Sequence, residues 1–262
     1  MNHSIKDHIL SSLDRHADNL LTQWSNPSGT STKHFVLDNL LPDDIALRAN
    51  SSFPIQGQGF SSRDDFRERK KTLMDLSNLD PLLSDITYSL QSPDVLLKLE
   101  QLTGIRHLEP DPSLSRGGLS MMFKGDFLNP HIDNSHDSER SRYRRLNLLY
   151  YVSPEWKAEY GGNFELWNEN RSKPMTIVSG FNRFVVMETT KNSWHSVSKV
   201  VASSPRCCIS SYCYTLAPPG ADDYYHVTSF DGRPSEIRRK IVTRLDNALR
   251  NAYSKLSGKA RG

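Results

Sequence analysis

Cysteine is scarce in this chain, with three in 262 residues at Cys207, Cys208 and Cys213. An odd number in one short stretch argues against a disulfide-stapled scaffold. Adjacent residues on a strand point to opposite faces, so Cys207 and Cys208 are poorly placed to bond each other. Their spacing does not match paired zinc ligands, and buried free thiols in a reducing compartment are expected. Long apolar runs are missing too. No stretch approaches the eighteen or so residues of a spanning helix. The opening Met1-Asn2-His3-Ser4-Ile5-Lys6-Asp7-His8 lacks the basic-then-apolar layout of a secretory signal, so the cytoplasm is the expected compartment. The net charge of +3 is too small to imply a nucleic-acid partner.

What is present is a globular composition, 36% hydrophobic and 24% charged. The length suits one large domain with additions. Positive charge gathers late: from Asp231 onward nine Lys or Arg stand against three Asp or Glu, a balance of +6 there and −3 elsewhere. Such a tail reads as a solvated helix face. Within it Ile237, Ile241, Val242, Leu245, Ala248, Leu249, Ala252, Tyr253 and Leu256 repeat at helical spacing. A basic amphipathic helix is expected to close the chain, its apolar face packed on the domain or on a second copy in a homodimer.

At the other end Ile5, Ile9, Leu10, Leu13, Ala17, Leu20, Leu21 and Trp24 follow a capping Ser4 and predict one amphipathic helix of about twenty residues. Residues 34 to 38 read as a strand, and Pro42-Asp43-Asp44 opens a helix with acids in its first turn. Two more helices are expected around Leu83, Ile86 and Leu90 and around Val95, Leu96, Leu99 and Leu102, broken at Ser92-Pro93, with Gly104 ending the second. Residues 54 to 70 are polar and weakly patterned, and no site is assigned to them. From Gly117 to about Leu216 the pattern changes to short strands with Gly or Pro breaks.

Inside that strand region lies Leu128-Asn129-Pro130-His131-Ile132-Asp133-Asn134. On a strand His131 and Asp133 share a face and can grip one ion. A distant second His, for which His195 is the candidate, would complete a two-His-one-carboxylate triad that suits Fe(II) and leaves coordination positions open. A lone His-x-Asp is common by chance; the stretches that follow make it specific. They are Arg144-Arg145-Leu146-Asn147-Leu148-Leu149-Tyr150-Tyr151-Val152, Tyr160-Gly161-Gly162-Asn163-Phe164-Glu165-Leu166-Trp167, Asn182-Arg183-Phe184-Val185-Val186-Met187, Trp194-His195-Ser196-Val197 and, eleven positions after His195, Arg206. Over about residues 115 to 216 this order resembles the Fe(II)- and 2-oxoglutarate-dependent dioxygenases, in particular their prolyl-hydroxylase-like branch.

The resemblance implies an α+β chain with a double-stranded β-helix core, the jelly-roll of the cupin-like dioxygenases, at residues 111–218. A helical support region at 1–110 would precede it, and the C-terminal basic helix at 219–262 would pack on it. The implied activity is hydroxylation, with His131, Asp133 and His195 as catalytic metal ligands. Fe(II), 2-oxoglutarate and O2 are the implied cofactors, with ascorbate as an accessory. Arg206 would grip the distal carboxylate of 2-oxoglutarate with its planar fork. Asn147 stands where relatives often carry Thr; it would donate to the cosubstrate or satisfy a neighbouring strand. Two departures change the implied cosubstrate pocket: Met122 where relatives place Tyr, and Cys208 where some branches place Ser.

The substrate stays open among a protein side chain such as prolyl, an amino acid, a natural product, and a sugar or lipid precursor. The charged connection from Asn134 to Tyr143 would lie at the barrel mouth, with His136 a loop residue rather than a spare ligand. A second reading is a cupin-like metal-binding sensor or scaffold without turnover. The open coordination positions speak against it, because structural sites normally close theirs.

Overall fold

The computed structural model describes residues 4–220 and 223–234. The expected C-terminal helix lies outside the described residues, and so does the homodimer contact assigned to it. In the N-terminal region, α1 (Ile5–Arg15) starts at a capping box in which Ser4 and Asp7 exchange hydrogen bonds of 3.2 and 3.0 Å. The single long helix expected here is instead two, because His16 leaves the helical conformation (φ −108°, ψ 10°) before α2 (Ala17–Ser25). Periodicity reports the face and not the continuity: Ile9, Leu13, Leu20 and Trp24 are buried on both sides of the break.

After β1 (His34–Asp38) and α3 (Asp43–Ser51), the weakly patterned stretch contributes a hairpin, β2 (Ser61–Asp64) and β3 (Glu68–Leu73). The N-terminal region is therefore not purely helical. Next come α4 (Pro81–Ser89), capped by Asp80, and α5 (Pro93–Thr103), which ends at Gly104 in the left-handed region as expected. Helices α1, α2, α4 and α5 pack on one another, with α2 against β1 and α4 against the sheet.

The remaining strands are β4 (Gly118–Met122), β5 (Phe127–Ile132), β6 (Tyr143–Tyr151), β7 (Phe164–Trp167), β8 (Pro174–Ile177), β9 (Arg183–Glu188), β10 (His195–Val197), β11 (Arg206–Thr215) and β12 (Ser229–Phe230). They join β1 to β3 in one antiparallel sheet ordered β1-β9-β6-β11-β4-β3-β5-β10-β7-β8, with β2 added on β3 and β12 on β5. The sheet curls, for one cavity is lined from β4, β6 and β11 on one half and from β5, β7 and β10 on the other. This is a jelly-roll-like core.

Period-two alternation sorts each strand between two environments. On β11, Cys207, Ile209 and Cys213 join the core beneath the helices, while Arg206, Cys208, Ser210 and Tyr212 face the cavity. On β6, Leu146, Leu148 and Tyr150 do the former, and Asn147 and Leu149 the latter. The three cysteines are buried and free, as expected. Among the described residues no helix is long and apolar enough to cross a membrane.

Candidate functional site

The step His131-Ile132-Asp133 sits where β5 ends, and β10 lies beside it with His195 directly opposite His131. That register brings the two imidazoles to a ring-centroid separation of 4.1 Å despite the 64 positions between them. The Asp133 carboxylate divides between them. Its Oδ1 is 3.6 Å from His131 Nε2 and its Oδ2 is 3.6 Å from His195 Nε2. All three side chains are buried.

Tautomers follow from the partners. His131 Nδ1 faces the Asn129 carbonyl at 3.0 Å and His195 Nδ1 faces the Ser193 carbonyl at 2.9 Å. A carbonyl can only accept, so both Nδ1 atoms carry the proton and both Nε2 lone pairs point at Asp133. Outer hydrogen bonds of this kind orient metal-ligating imidazoles. Phe230, from the segment after the barrel, stacks on His131 at 5.2 Å.

Charge is arranged to match. Burial opposes ionisation of Asp133, but the charge that His195 and His131 carry when protonated, together with the Arg144 guanidinium, outweighs it and holds the carboxyl well below the usual range; with both imidazoles neutral, Arg144 is the cation that remains beside it. Burial pushes His195 down to about 4, so its imidazole is neutral near pH 7. Asp133 Oδ2 is nonetheless buried without a hydrogen-bond partner among the described residues. A buried carboxylate between two imidazole lone pairs, with one of its oxygens unpartnered, is costly unless a cation sits there. The donor set, two nitrogens and one carboxylate within 4.8 Å of one another, fits a divalent first-row metal such as Fe(II).

The triad opens onto a cavity of about 450 Å³. Arg206 enters one end of it, at the start of β11 and paired in register with Met122. It is 3% exposed, donates to Ser179 Oγ at 3.2 Å and lies over the Tyr151 ring at 4.7 Å. No carboxylate among the described residues pairs with it, so a buried guanidinium awaits an anion. Met122, in the position where a Tyr was the familiar residue, offers its sulfur 3.7 Å from Arg206 Nη1. The Tyr151 hydroxyl, buried beside the same guanidinium, has no hydrogen-bond partner among the described residues. Asn147 lines the cavity with its Oδ1 likewise unpartnered, and Cys208 lines it too.

A glycine turn sets the position of Arg206. Gly161 has φ 66° and ψ −159°, a conformation open essentially to glycine alone, and a Cβ there would lie 1.9 Å from the Lys199 carbonyl oxygen. A Cβ on Gly162 would come within 3.2 Å of Arg206 Cδ.

Several contributors had no readable signal in the sequence. Glu68 and Lys70 of β3 and Arg63 of β2 come from the stretch to which no site was assigned, yet all three line the cavity. Glu68 is held down to about 2: burial opposes this, and Lys70 and Arg63, at 3.1 and 2.9 Å, outweigh it. Alternation of Glu68, Lys70 and Thr72 along the strand was the only available hint. Arg116, Tyr212, Thr228 and Phe230 also line the space. The expected mouth loop is tied down rather than loosely solvated. Ser135 exchanges hydrogen bonds with the backbone of His226, and His136 is buried against the Tyr143 ring at 4.3 Å, away from the triad's donor set.

Residues 117–214 match the family described as the 2OG-Fe(II) oxygenase superfamily. Among solved structures, a prolyl hydroxylase from Trichoplax adhaerens, crystallised with a hypoxia inducible factor peptide fragment, aligns over 78% of this chain and 91% of its own at TM-score 0.58 and 16% identity. A Pseudomonas putida prolyl-4-hydroxylase aligns over 77% of this chain and all of its own (100%) at TM-score 0.57 and 12% identity. One from Phytophthora capsici covers 98% of this chain and 79% of its own, at TM-score 0.54 and 17% identity. At such identities the likeness is one of fold. A search of curated protein sequences returns no match.

Proposed function

We propose, from the premise that residues 117–214 are a 2OG-Fe(II) oxygenase domain, that this dioxygenase hydroxylates a C–H bond of a substrate held in the cavity beside His131, Asp133 and His195. One observation carries the residue assignment: a buried carboxylate between two imidazole lone pairs, one of its oxygens without a hydrogen bond, shares a cavity with a buried guanidinium that pairs with no carboxylate among the described residues. His131, Asp133 and His195 would hold Fe(II), which together with 2-oxoglutarate and O2 would supply oxidative decarboxylation to succinate and carbon dioxide coupled to hydroxylation of the substrate C–H, one oxygen atom going to each product.

The chain's own contributions are binding, orientation and exclusion of water. His131 and His195 present fixed Nε2 lone pairs because their Nδ1 protons are held by backbone carbonyls. Arg206 takes the distal carboxylate of 2-oxoglutarate, with the unpartnered Tyr151 hydroxyl beside it as a further donor, while Asn147 lines the same cavity. Arg144, 3.8 Å from Asp133, keeps that carboxylate ionised. The apolar wall of Leu149, Phe164, Val197 and Phe230 limits water around the reacting carbon.

Residues 111–218 are read as the oxygenase unit, supported by 1–110. Three buried free thiols fit a reducing, cytoplasmic setting. The sensor or scaffold alternative is not favoured, since the triad faces an open cavity. The test is succinate formation from 2-oxoglutarate under O2 with added Fe(II). The wild-type chain is expected to produce succinate, and Arg206→Lys to raise the KM for 2-oxoglutarate about tenfold or more by losing the bidentate fork. Unaltered KM in that variant refutes the role of Arg206, and absence of both metal and 2-oxoglutarate binding refutes the site.

A further inference from the structure

The cavity holds more positive charge than iron and 2-oxoglutarate require. Arg63, Lys70, Arg116, Arg144 and Arg206 lie in or directly behind its walls, against the carboxylates Glu68 and Asp133. The charges of Fe(II) and of dianionic 2-oxoglutarate cancel, so the loaded site keeps an excess of cations. A cleft lined by one sign of charge concentrates ligands of the other.

Part of that excess, Arg116 and Arg144, sits away from the cosubstrate end. Arg206 begins β11, and Tyr212, six residues further along the same face, lies roughly 20 Å away along the strand. At this far end the Arg144 guanidinium lies 3.8 Å over the Tyr212 ring. It is 1% exposed, and its Nε and Nη1 have no hydrogen-bond partner among the described residues. Its nearest carboxylate, Asp133, is 3.8 Å away and committed to the metal. Arg116 stands in the turn before β4, held at φ 68°, a backbone state costly for a side-chain-bearing residue and common at binding sites. No carboxylate among the described residues pairs with it. Burial, and then the like charges of Arg144 and Arg63, pull its pKa below the ordinary arginine value. On the β2–β3 hairpin, which pairs with β4, Arg63 and Lys70 share the single carboxylate of Glu68.

We propose that the substrate of this enzyme carries an oxyanion, a carboxylate or a phosphate, and that Arg116 is its receptor, with Arg63 and Lys70 of the β2–β3 hairpin completing a cationic wall. The inference rests on the oxygenase reading, which assigns Arg206 to 2-oxoglutarate and leaves Arg116 for the substrate. An oxyanion bound at Arg116 relieves the repulsion among Arg63, Arg116 and Arg144. A neutral prolyl ring alone gives these cations nothing to pair with. The anion also fixes one end of the substrate, so that a carbon further along it is presented to the triad.

The experiment titrates the full chain, loaded with Mn(II) and saturating 2-oxoglutarate, with inorganic phosphate, propionate and the neutral isostere propionamide, followed by calorimetry. Wild type is expected to bind phosphate or propionate at least about tenfold more tightly than propionamide, and the tighter of the two names the oxyanion. Arg116→Gln is expected to weaken that anion by about tenfold or more. Equal affinity for all three probes overturns the proposal, and because that comparison is made on wild type it stands whether or not the variant folds. Loss of 2-oxoglutarate affinity in Arg116→Gln as large as that in Arg206→Gln also overturns it, since Arg116 would then be a cosubstrate anchor. The probes are titrated without Mn(II) and 2-oxoglutarate as well. Failure to load counts against the oxygenase reading, and failure to prefer the anion counts against this one.

Discussion

Asp133 is the residue on which both charge and geometry converge. It approaches His131 and His195 with different oxygens and has Arg144 behind it, so one short side chain orders three groups. Asp133→Ala leaves two imidazoles with no anionic ligand and Arg144 with no carboxylate nearby. Metal affinity is expected to fall by at least about 100-fold, more than the loss typical of an outer hydrogen-bond partner, with turnover abolished. Calorimetric titration with Mn(II) measures the first and succinate formation the second. Retention of wild-type Mn(II) affinity would place the metal elsewhere. His131, Asp133, His195 and Arg206 could be singled out as candidates because each carries its chemistry in its residue type and follows an ordered series of motifs, and the structure brings them to one cavity. The surroundings of Arg116 and Arg144 were not legible, because sequence does not show whether a buried cation faces enough carboxylates.

Elements place these residues by register. β5 carries His131, Asp133 follows directly after its end and β10 carries His195, and the pairing of His131 with His195 is what closes the candidate site. The turn at Gly161 and Gly162 leads into β7, and β7 pairs with β10, so a disturbance there reaches His195 as well as Arg206. Gly161→Ala forces a Cβ onto the Lys199 carbonyl and a left-handed φ onto alanine. A loss of at least about 2 kcal/mol is expected, read as a drop of several degrees in Tm. Gly59, whose Cβ position meets nothing within 4 Å, is the control in which only the φ penalty applies. An equal loss at both positions would mean that the close approach to Lys199 has no effect. The hairpin of β2 and β3 escaped sequence reading for a related reason: a strand carrying Arg, Glu and Lys toward a polar cavity has no apolar alternation to reveal it.

At the scale of the whole molecule, acid is expected to undo the metal-free fold early. Burial pushes His34, His136, His195 and His226 below the ordinary histidine value, His195 to about 4. In the unfolded chain these imidazoles take up protons near pH 6.5, whereas in the folded chain they resist until lower pH. Between the two values the unfolded state holds more protons, so stability rises with pH there and is lost as pH falls below about 6.5. For His195 alone the loss by pH 4 is on the order of 3 kcal/mol. Thermal melts of chelator-treated protein from pH 7 to 4.5 should show a falling Tm, with a shallower fall in His195→Gln. A Tm independent of pH over that range would contradict the buried neutral imidazoles.

The sequence alone pointed to the proposed reaction chemistry and to the kind of core. Metal-ligand residue types, a glycine pair, an arginine at a set distance and period-two apolar strands are local features, and each keeps its meaning wherever the chain goes. The tertiary structure decided which strands lie side by side, that the N-terminal hairpin closes the cavity wall, and that Arg116 and Arg144 face an interior short of carboxylates. Those are properties of pairs far apart in the chain. Burial and Coulomb energies depend on distances between such pairs, which are set only once the sheet has curled.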